Sequence, residues 1–356
     1  MHTAKIQAVF AASGIKPYRL KQAVYAGYRE LVSSWDEVAE FPPELRALLD
    51  REAPIMSLAL EREVVSADSR TVKAALMTAD GNAIESVLML HETGRRTVCV
   101  SSQVGCPMKC TFCATGAGGF SRNLTAEEIV DQVMFFARHL KPQHKTVTNV
   151  VMMGMGEPMN NYDAVMDAIR ELNRADGLGI GNRHFTVSTC GIIPGIVRFA
   201  DEPLALNLAV SLHAPNQALR ERLMPVASAY PLEVLMAACR AYVEKTGRRI
   251  FFEYTLLDGV NDSDEHAEQL AKILDSKLYQ LNLIKYHATG TFGASPPERC
   301  RAFQHLLWEK YRVPVTFRVS FGEDIDAACG QLAGRKRKLG HRAKCPPKRV
   351  TTFTSL

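Results

Sequence analysis

Apolar and polar positions change rhythm twice along this chain. From residue 1 to about 55 the spacing is helical. YRLKQAVYAGYRELV (18–32) puts Leu20, Val24, Tyr28 and Leu31 on one face, near the 3.6 period. FPPELRALLD (41–50) opens on prolines, which suit a first helical turn because the N–H they lack has no helical partner there. From about 58 to 101 the pattern turns to strand-like alternation, and RTVKAALMTADGNAIESVLML carries Asp80-Gly81, a hairpin signal. After residue 96, strands and helices alternate. RTVCVSS, TNVVMMG, HFTVSTCG, LALNLAVSLH, IFFEYTLL, YQLNLIKY and VPVTFRVS read as strands. LTAEEIVDQVMFFARHL (124–140) reads as a helix capped by Thr125 with Glu128 three residues on, burying Ile129, Val133, Phe136 and Leu140. YDAVMDAIRELN reads as another. The alternation predicts an α/β fold around a parallel sheet, open or barrel-like. Four parts are expected: a helical accessory domain (1–57), a β-rich connector (58–95), a core with its functional loops (96–334) and a tail (335–356).

The polar and glycine-rich residues fall repeatedly just after a strand: a cysteine loop, GMGEP (154–158), STCG (188–191) and SLH (211–213). In parallel α/β architectures the carboxyl ends of the strands hold the reaction site. Chemistry is therefore expected on one rim.

Composition narrows the setting. Of the 356 residues, 47% are hydrophobic, enough for a substantial core. No apolar run reaches the ~18 residues of a membrane span, and the first residues lack the apolar core of a secretory signal. A soluble cytoplasmic protein with no membrane partner is expected. The net charge of +5 is uneven, since residues 335–356 hold eight Lys/Arg and no Asp or Glu. A cationic tail of this kind suits phosphate contacts with nucleic acid; it is equally the composition of a solvated end.

Nine cysteines lie at 99, 106, 110, 113, 190, 239, 300, 329 and 345. In a large intracellular chain such thiols bind metal or act as nucleophiles more often than they pair. Three of them crowd into GCPMKCTFCATG (105–116) as C-x3-C-x2-C. Structural zinc is closed and tetrahedral, so here it would need a distant fourth ligand. A [4Fe–4S] cubane normally takes four thiolates, and three leave one iron open to a small chelating molecule. Phe112 stands where it can shield such a cluster. Gly154 and Gly156 allow close backbone approach to a ligand; Glu157 offers a carboxylate to an ammonium; Ser188, Ser211 and His213 offer further polar contacts. Cys329, in DIDAACGQLAG, sits between an acidic stretch and a glycine, an accessible setting for a nucleophile, although a lone cysteine is usually a small buried hydrophobe.

The C-x3-C-x2-C motif with its aromatic resembles the radical S-adenosylmethionine (SAM) superfamily. TVCVSSQVGCPMKCTFCATGAGGFSRNL, VMMGMGEPMNN, VSTCGIIP, AVSLHAP, LLDGVNDS and DIDAACGQLAG together resemble the RlmN/Cfr group of radical-SAM RNA adenine methyltransferases, over about residues 70 to 334. The resemblance implies a partial (β/α)6 radical-SAM barrel. Cys106, Cys110 and Cys113 would hold a [4Fe–4S] cluster whose open iron binds SAM, and SAM cleavage would yield a 5′-deoxyadenosyl radical. SAM contacts would fall to Gly156, Glu157, Ser188, Ser211, Leu212 and His213. His287, in NLIKYHATG, would make one more, in a place where the family usually carries asparagine. Two SAM molecules are implied per turnover: one methylates Cys329, the other generates the radical that acts on its S-methyl group. Cys99 matches the thiol that attacks the Cys329 sulfur to release product through a transient disulfide. Glu85 matches the proton acceptor.

The implied substrate is 23S rRNA, at carbon 2 of an adenosine in the peptidyl-transferase centre, and also tRNA, at the adenosine 3′ of the anticodon. An electron donor such as flavodoxin and a monomeric state are expected. The GEP of GMGEPMNN favours the carbon-2 branch over the Cfr-like carbon-8 branch. Two other classes remain as alternatives: a radical-SAM enzyme acting on a peptide or small molecule, with an auxiliary cluster on Cys239, Cys300 and Cys345, and a non-catalytic metal-dependent RNA-binding module.

Overall fold

Strand alternation decides which side of the sheet is packed and which is open. The computed structural model describes residues 1, 3–287, 289–290 and 292–333. The expected basic tail 335–356, with Cys345, lies outside the described residues. In chain order the elements are α1 (Thr3–Ala12), α2 (Tyr18–Tyr25), α3 (Pro43–Glu52), β1 (Ala59–Val65), β2 (Thr71–Met77), β3 (Ala83–Leu90), β4 (Arg96–Cys99), β5 (Gln103–Gly105), α4 (Ala114–Ala117), β6 (Phe120–Asn123), α5 (Ala126–Leu140), β7 (Asn149–Met152) and α6 (Tyr162–Asn173). They continue with β8 (Phe185–Thr189), α7 (Ile193–Ala200), β9 (Asn207–Ser211), α8 (Gln217–Leu223), α9 (Leu232–Thr246), β10 (Ile250–Leu256), α10 (Asp264–Ile273), β11 (Tyr279–Lys285), α11 (Pro297–His305) and β12 (Val315–Phe317).

Ten strands form one sheet in the order β1-β2-β3-β4-β7-β8-β9-β10-β11-β12. The β1-β2, β2-β3 and β3-β4 pairs are antiparallel, and every pair from β4-β7 to β11-β12 is parallel. This is a mixed α/β fold with helices at its N-terminus. The Asp80-Gly81 hairpin forms as expected, Met77 facing Ala83 across it and Gly81 at φ +77°.

In parallel pairs, residues in register share a face. Following the register from β4 to β12 puts Cys99, Ser188, Ser211, Glu253, Asn282 and Thr316 on one face. The opposite face carries Val98, Val150, Phe185, Val187, Leu208, Val210, Phe252 and Leu281, all buried. Helices cover that apolar face. The best formed is α5: the Thr125 hydroxyl accepts from the Glu128 N–H (3.2 Å) while the Glu128 carboxylate accepts from the Thr125 N–H (2.9 Å). Two helix-end donors are thereby satisfied reciprocally. Its stripe of Ile129, Val133, Phe136 and Leu140 is fully buried, worth about 1.5–3 kcal/mol for each such side chain.

The N-terminal helices dock on the outer side of this layer. Tyr28 donates to Glu171 on α6 (2.7 Å), and Arg138 on α5 donates to the Val32 carbonyl (3.0 Å). The helix expected over 18–32 is shorter and less regular. After Tyr25 it widens into a π turn, Ala26–Glu30, and ends at Leu31 in a left-handed conformation. Gly27 inside that stretch weakens helix formation, and the wider turn rotates the stripe. Val24 and Tyr28 stay buried, while Leu20 and Leu31 are only half-buried. Among the described residues no helix is long and apolar enough to cross a membrane.

Candidate active site

The cysteine loop is pinned at both ends. Beyond β4 the chain forms β5, which pairs with β6 on the far side of the loop (Gln103 with Asn123, Val104 with Arg122). Where the two ends cross, Gly105 (φ +76°) lies against Gly119; a Cβ there would overlap the Gly119 carbonyl oxygen, so only glycine fits. The Cys106 N–H donates to that oxygen (2.8 Å). Cys106, Cys110 and Cys113 are each half-buried and free. Burial pushes the Cys106 thiol up to about 11 and Cys110 further still, each raised also by the charge of neighbouring cysteines.

This donor set fits an iron–sulfur cluster better than a single ion. C-x3-C-x2-C supplies three thiols, one fewer than a closed tetrahedral zinc site takes. A cubane binds each thiolate at a different corner, so its ligands stand apart while still feeling one another's charge. Phe112, within the loop, is buried, its ring 4.7 Å from that of His213.

The loops that follow the next strands are laced together in sequence. After β7, the Met155 carbonyl accepts from Ser102 (2.8 Å), and the Glu157 N–H donates to the Gln103 side chain (2.9 Å). Gly156, at φ +104°, meets β5 so closely that a Cβ would lie 2.6 Å from the Gln103 Cβ and 2.8 Å from its backbone nitrogen. Glu157 is buried, and both its oxygens are engaged: Oε1 accepts from the Met159 N–H (3.0 Å) and Oε2 from the Cys190 N–H (2.7 Å). The carboxylate therefore ties the loop after β7 to the loop after β8, and an incoming ammonium would meet only its remaining lone pairs. Ser188 lies half-buried on the polar face. After β9, the N–H groups of Leu212 and His213 donate to the Glu253 carbonyl (3.0 and 3.3 Å), and His213 Nδ1 accepts from the Thr255 N–H (3.0 Å). Ser211, Leu212 and His213 are thus fixed through backbone. His287, after β11, is turned into the protein, with Nε2 3.0 Å from the Ser320 hydroxyl and Nδ1 3.7 Å from Glu323.

The second group of thiols meets the first on the same rim. Cys99 ends β4 and is buried; Cys329 follows β12 and is exposed. Burial pushes Cys99 up to about 12, the charge of Cys329 adds to the rise, and Arg318 opposes it. Although solvent reaches Cys329, the surrounding protein desolvates its thiol and raises it too, again opposed by Arg318. Arg318 donates to Glu253 (3.1 Å), Glu253 also accepts from Asn282 (3.0 Å), and Asn282 accepts from Thr316 (2.7 Å). The Cys329 loop is fastened to the cysteine loop, Ala114 N–H to the Gly330 carbonyl (2.8 Å) and the Thr115 hydroxyl to the Leu332 carbonyl (2.5 Å). Glu85 on β3 holds the same segment, accepting from the Ala333 N–H (2.8 Å) with Lys73 3.6 Å away.

All eight described cysteines are free, so no standing disulfide joins Cys99 to Cys329; the resemblance implies only a transient one. Cys239 and Cys300 are buried on α9 and α11, and Cys300 donates to the Ser295 carbonyl (3.5 Å); Cys345 lies outside the described residues. Arg318, Glu253 and Gln103 join the site without having been singled out from sequence. The signal for Glu253 is a lone charge inside an otherwise apolar strand.

Comparison with known proteins agrees with this geometry. The model of the Radical SAM superfamily matches residues 100–271. The "Probable dual-specificity RNA methyltransferase RlmN" of Thermoanaerobacter sp. (strain X514) is 44% identical over 340 residues, covering 95% of this chain and 97% of that protein. The "Dual-specificity RNA methyltransferase RlmN 1" of Myxococcus xanthus (strain DK1622) is 44% identical over 338 residues, covering 94% of each. A crystal structure of a radical SAM methyltransferase from Sphaerobacter thermophilus superposes with a TM-score of 0.90 at 47% identity, over 93% of this chain and 97% of that one. With a thiol-rich loop on the rim of a parallel sheet and relatives matched over nearly their whole length, this chain belongs to the RlmN family of radical-SAM RNA methyltransferases.

Proposed function

We propose that the protein methylates carbon 2 of an adenosine in the peptidyl-transferase centre of 23S rRNA and of the adenosine 3′ of the anticodon in tRNA. It consumes two SAM molecules per turnover and uses a [4Fe–4S] cluster held by Cys106, Cys110 and Cys113. Full-length relatives named for dual-specificity RNA methylation support the substrate class. One observation carries the chemistry: Cys99 at the end of β4 and Arg318 just after β12 lie close enough to Cys329 for their charges to act on one another, and the Cys329 loop is hydrogen-bonded to the cysteine loop.

When bound, the cluster and SAM supply the methyl group and the one-electron chemistry that an electrophilic ring carbon requires. The chain supplies the rest. Cys329, exposed and beside a guanidinium, takes a methyl group as its thiolate, the nucleophilic form. Glu85, fixed at the Cys329 loop, accepts the proton lost from the ring. Cys99 then attacks the Cys329 sulfur; an S–S bond forms as the bond from sulfur to the product's new carbon breaks, and a reductant restores both thiols. Gly156, Glu157, Ser188 and residues 211–213 line the SAM side of the rim, with His287 at its edge.

The target base reaches this recessed face by flipping out of its stack, and the basic tail adds phosphate contacts. The six β/α units from β4 to α11 are taken as the partial (β/α)6 barrel, preceded by the 1–57 accessory domain and the 58–95 connector. A cytoplasmic monomer served by a low-potential donor such as flavodoxin completes the reading.

The test compares wild type and Cys329→Ala, both anaerobically reconstituted, by mass spectrometry of nucleosides from RNA of a deletion strain. The variant is expected to make no 2-methyladenosine while still forming 5′-deoxyadenosine under strong reductant. Methylation by Cys329→Ala at the wild-type rate would refute the carrier role, and an 8-methyladenosine product would move the target to the other ring carbon.

A further inference from the structure

Arg220, on α8, is a fully buried cation (0% exposed). Its Nη2 donates to the Cys190 carbonyl (2.6 Å) and the Ser211 carbonyl (3.3 Å). Nε and Nη1 are buried and meet no acceptor among the described residues. Taking an ion from water costs several kcal/mol unless a counter-charge repays it, and carbonyl dipoles alone repay little.

The ionisable groups whose charge acts on Arg220 are thiols: Cys190, Cys110 and Cys239. Cys190 follows β8 and Cys239 lies on α9, so neither is among the three cysteines of the loop. Cys110 is. It belongs to the loop against which α8 is docked: the N–H and hydroxyl of Thr111, the residue after Cys110, both donate to the Leu223 carbonyl at the end of α8 (2.9 and 3.2 Å). Gly191 lets the guanidinium in, since even a Cβ there would stand 3.1 Å from Nη2. The chain has gone to some length to set one permanent positive charge behind the cysteine loop.

We propose that Arg220 is the counter-charge of the iron–sulfur cluster and raises its reduction potential, which rests on the reading that Cys106, Cys110 and Cys113 hold that cluster. Reduction adds one electron from a low-potential donor, [4Fe–4S]2+ + e− → [4Fe–4S]+, and makes an already anionic cluster–thiolate unit more negative. Arginine stays protonated throughout, so no proton accompanies the electron. A fixed cation at close range favours the more negative state, and cluster potentials follow local charge in this way. Arg220 opposes the lowering effect of burial.

The experiment uses the full-length protein, anaerobically reconstituted, with iron counting and an EPR-monitored redox titration against dithionite. Arg220→Gln, which can still donate to the Cys190 carbonyl, is expected to be reduced with an equilibrium constant at least tenfold smaller, a fall of about 59 mV for one electron. Arg220→Lys, whose ammonium the anionic cluster would hold protonated against the cost of burial, should stay within about threefold of wild type. A second measurement needs no folded variant: wild type grown on arginine labelled with 15N in the guanidinium should show a weak nitrogen coupling in pulsed EPR of the reduced cluster. An unchanged potential in Arg220→Gln, or no nitrogen coupling in wild type, overturns the proposal. Failure of wild type to load four irons would instead overturn the cluster reading beneath it.

Discussion

Replacing Arg318 with methionine strands a carboxylate. Glu253 is 5% exposed and Arg318 31%, so their 3.1 Å pair is sheltered but not sealed. Once the guanidinium is gone, Glu253 keeps only the Asn282 amide at 3.0 Å. Breaking a buried pair from one side costs about 3–5 kcal/mol, and with one partner near the surface the lower end applies, ~3 kcal/mol. Unfolding entropy scales at roughly 2.1 cal/mol/K per residue, so in a chain of this length that loss lowers Tm by about 4 °C. Removing the stranded charge as well, in Glu253→Gln/Arg318→Met, should recover at least half of it, since the two sites act as a unit. Calorimetry or circular dichroism reads the melting. Mass spectrometry of iodoacetamide-treated protein reads Cys329: losing the cation should slow its alkylation at pH 8 by roughly tenfold, the effect of about one pKa unit, and Arg318→Lys should restore most of it. If Arg318→Met melts within about 1 °C of wild type, or the double variant is no more stable than the single, the electrostatic account of this side of the site is wrong.

Two further outcomes follow from the rim. Burial, with Arg220 nearby, lowers His213 to about 3, against about 6.5 in the unfolded chain. The unfolded state then takes up a proton below pH ~6.5 that the folded state refuses, so His213's contribution is whole above that pH. It is lost by about 1.4 kcal/mol per unit as pH falls toward 3. His213→Asn, which tolerates the φ of +53° at this position, should flatten the pH dependence of urea stability between 6.5 and 5 by about one proton, and equal slopes would remove His213 from the account. Gly156→Ala would force a Cβ against the backbone of Gln103 at a φ few side chains adopt, costing about 2–4 kcal/mol and weakening SAM binding in equilibrium dialysis. Gly247→Ala, also at positive φ but with open space around its Cβ, is the control; equal losses in the two variants would show that the close approach to β5 contributes nothing.

Much of the frame is legible in the residues because it is local. The Thr125/Glu128 cap, the stripe on α5, the Asp80-Gly81 turn and the strand ends that carry function all follow from neighbours within a few positions. What escaped notice is set by distant partners. β5 and β6 are three and four residues long, and their pairing depends on Gly105 reaching Gly119. Glu157 reads as a ligand carboxylate, and a second use is revealed only by the fold: each of its oxygens also accepts from backbone, of Met159 and of Cys190. Glu253 announces itself as a charge inside IFFEYTLL, but its partner lies 65 residues away, just beyond a short strand with nothing unusual about it. At the N-terminus, 3.6-residue spacing predicts one helix through Leu31, and the π turn after Tyr25 breaks that regularity.

The bonds from Ala114 to Gly330 and from Thr115 to Leu332 couple two parts of the molecule that sequence holds more than two hundred positions apart. They make the three-thiol turn and the Cys329 segment a single mechanical piece, so any strain or oxidative injury that unseats one slackens the other. In the proposed reaction a damaged protein of this build would lose its radical source and its methyl carrier together, and would fail silent instead of firing a radical with nothing to receive it.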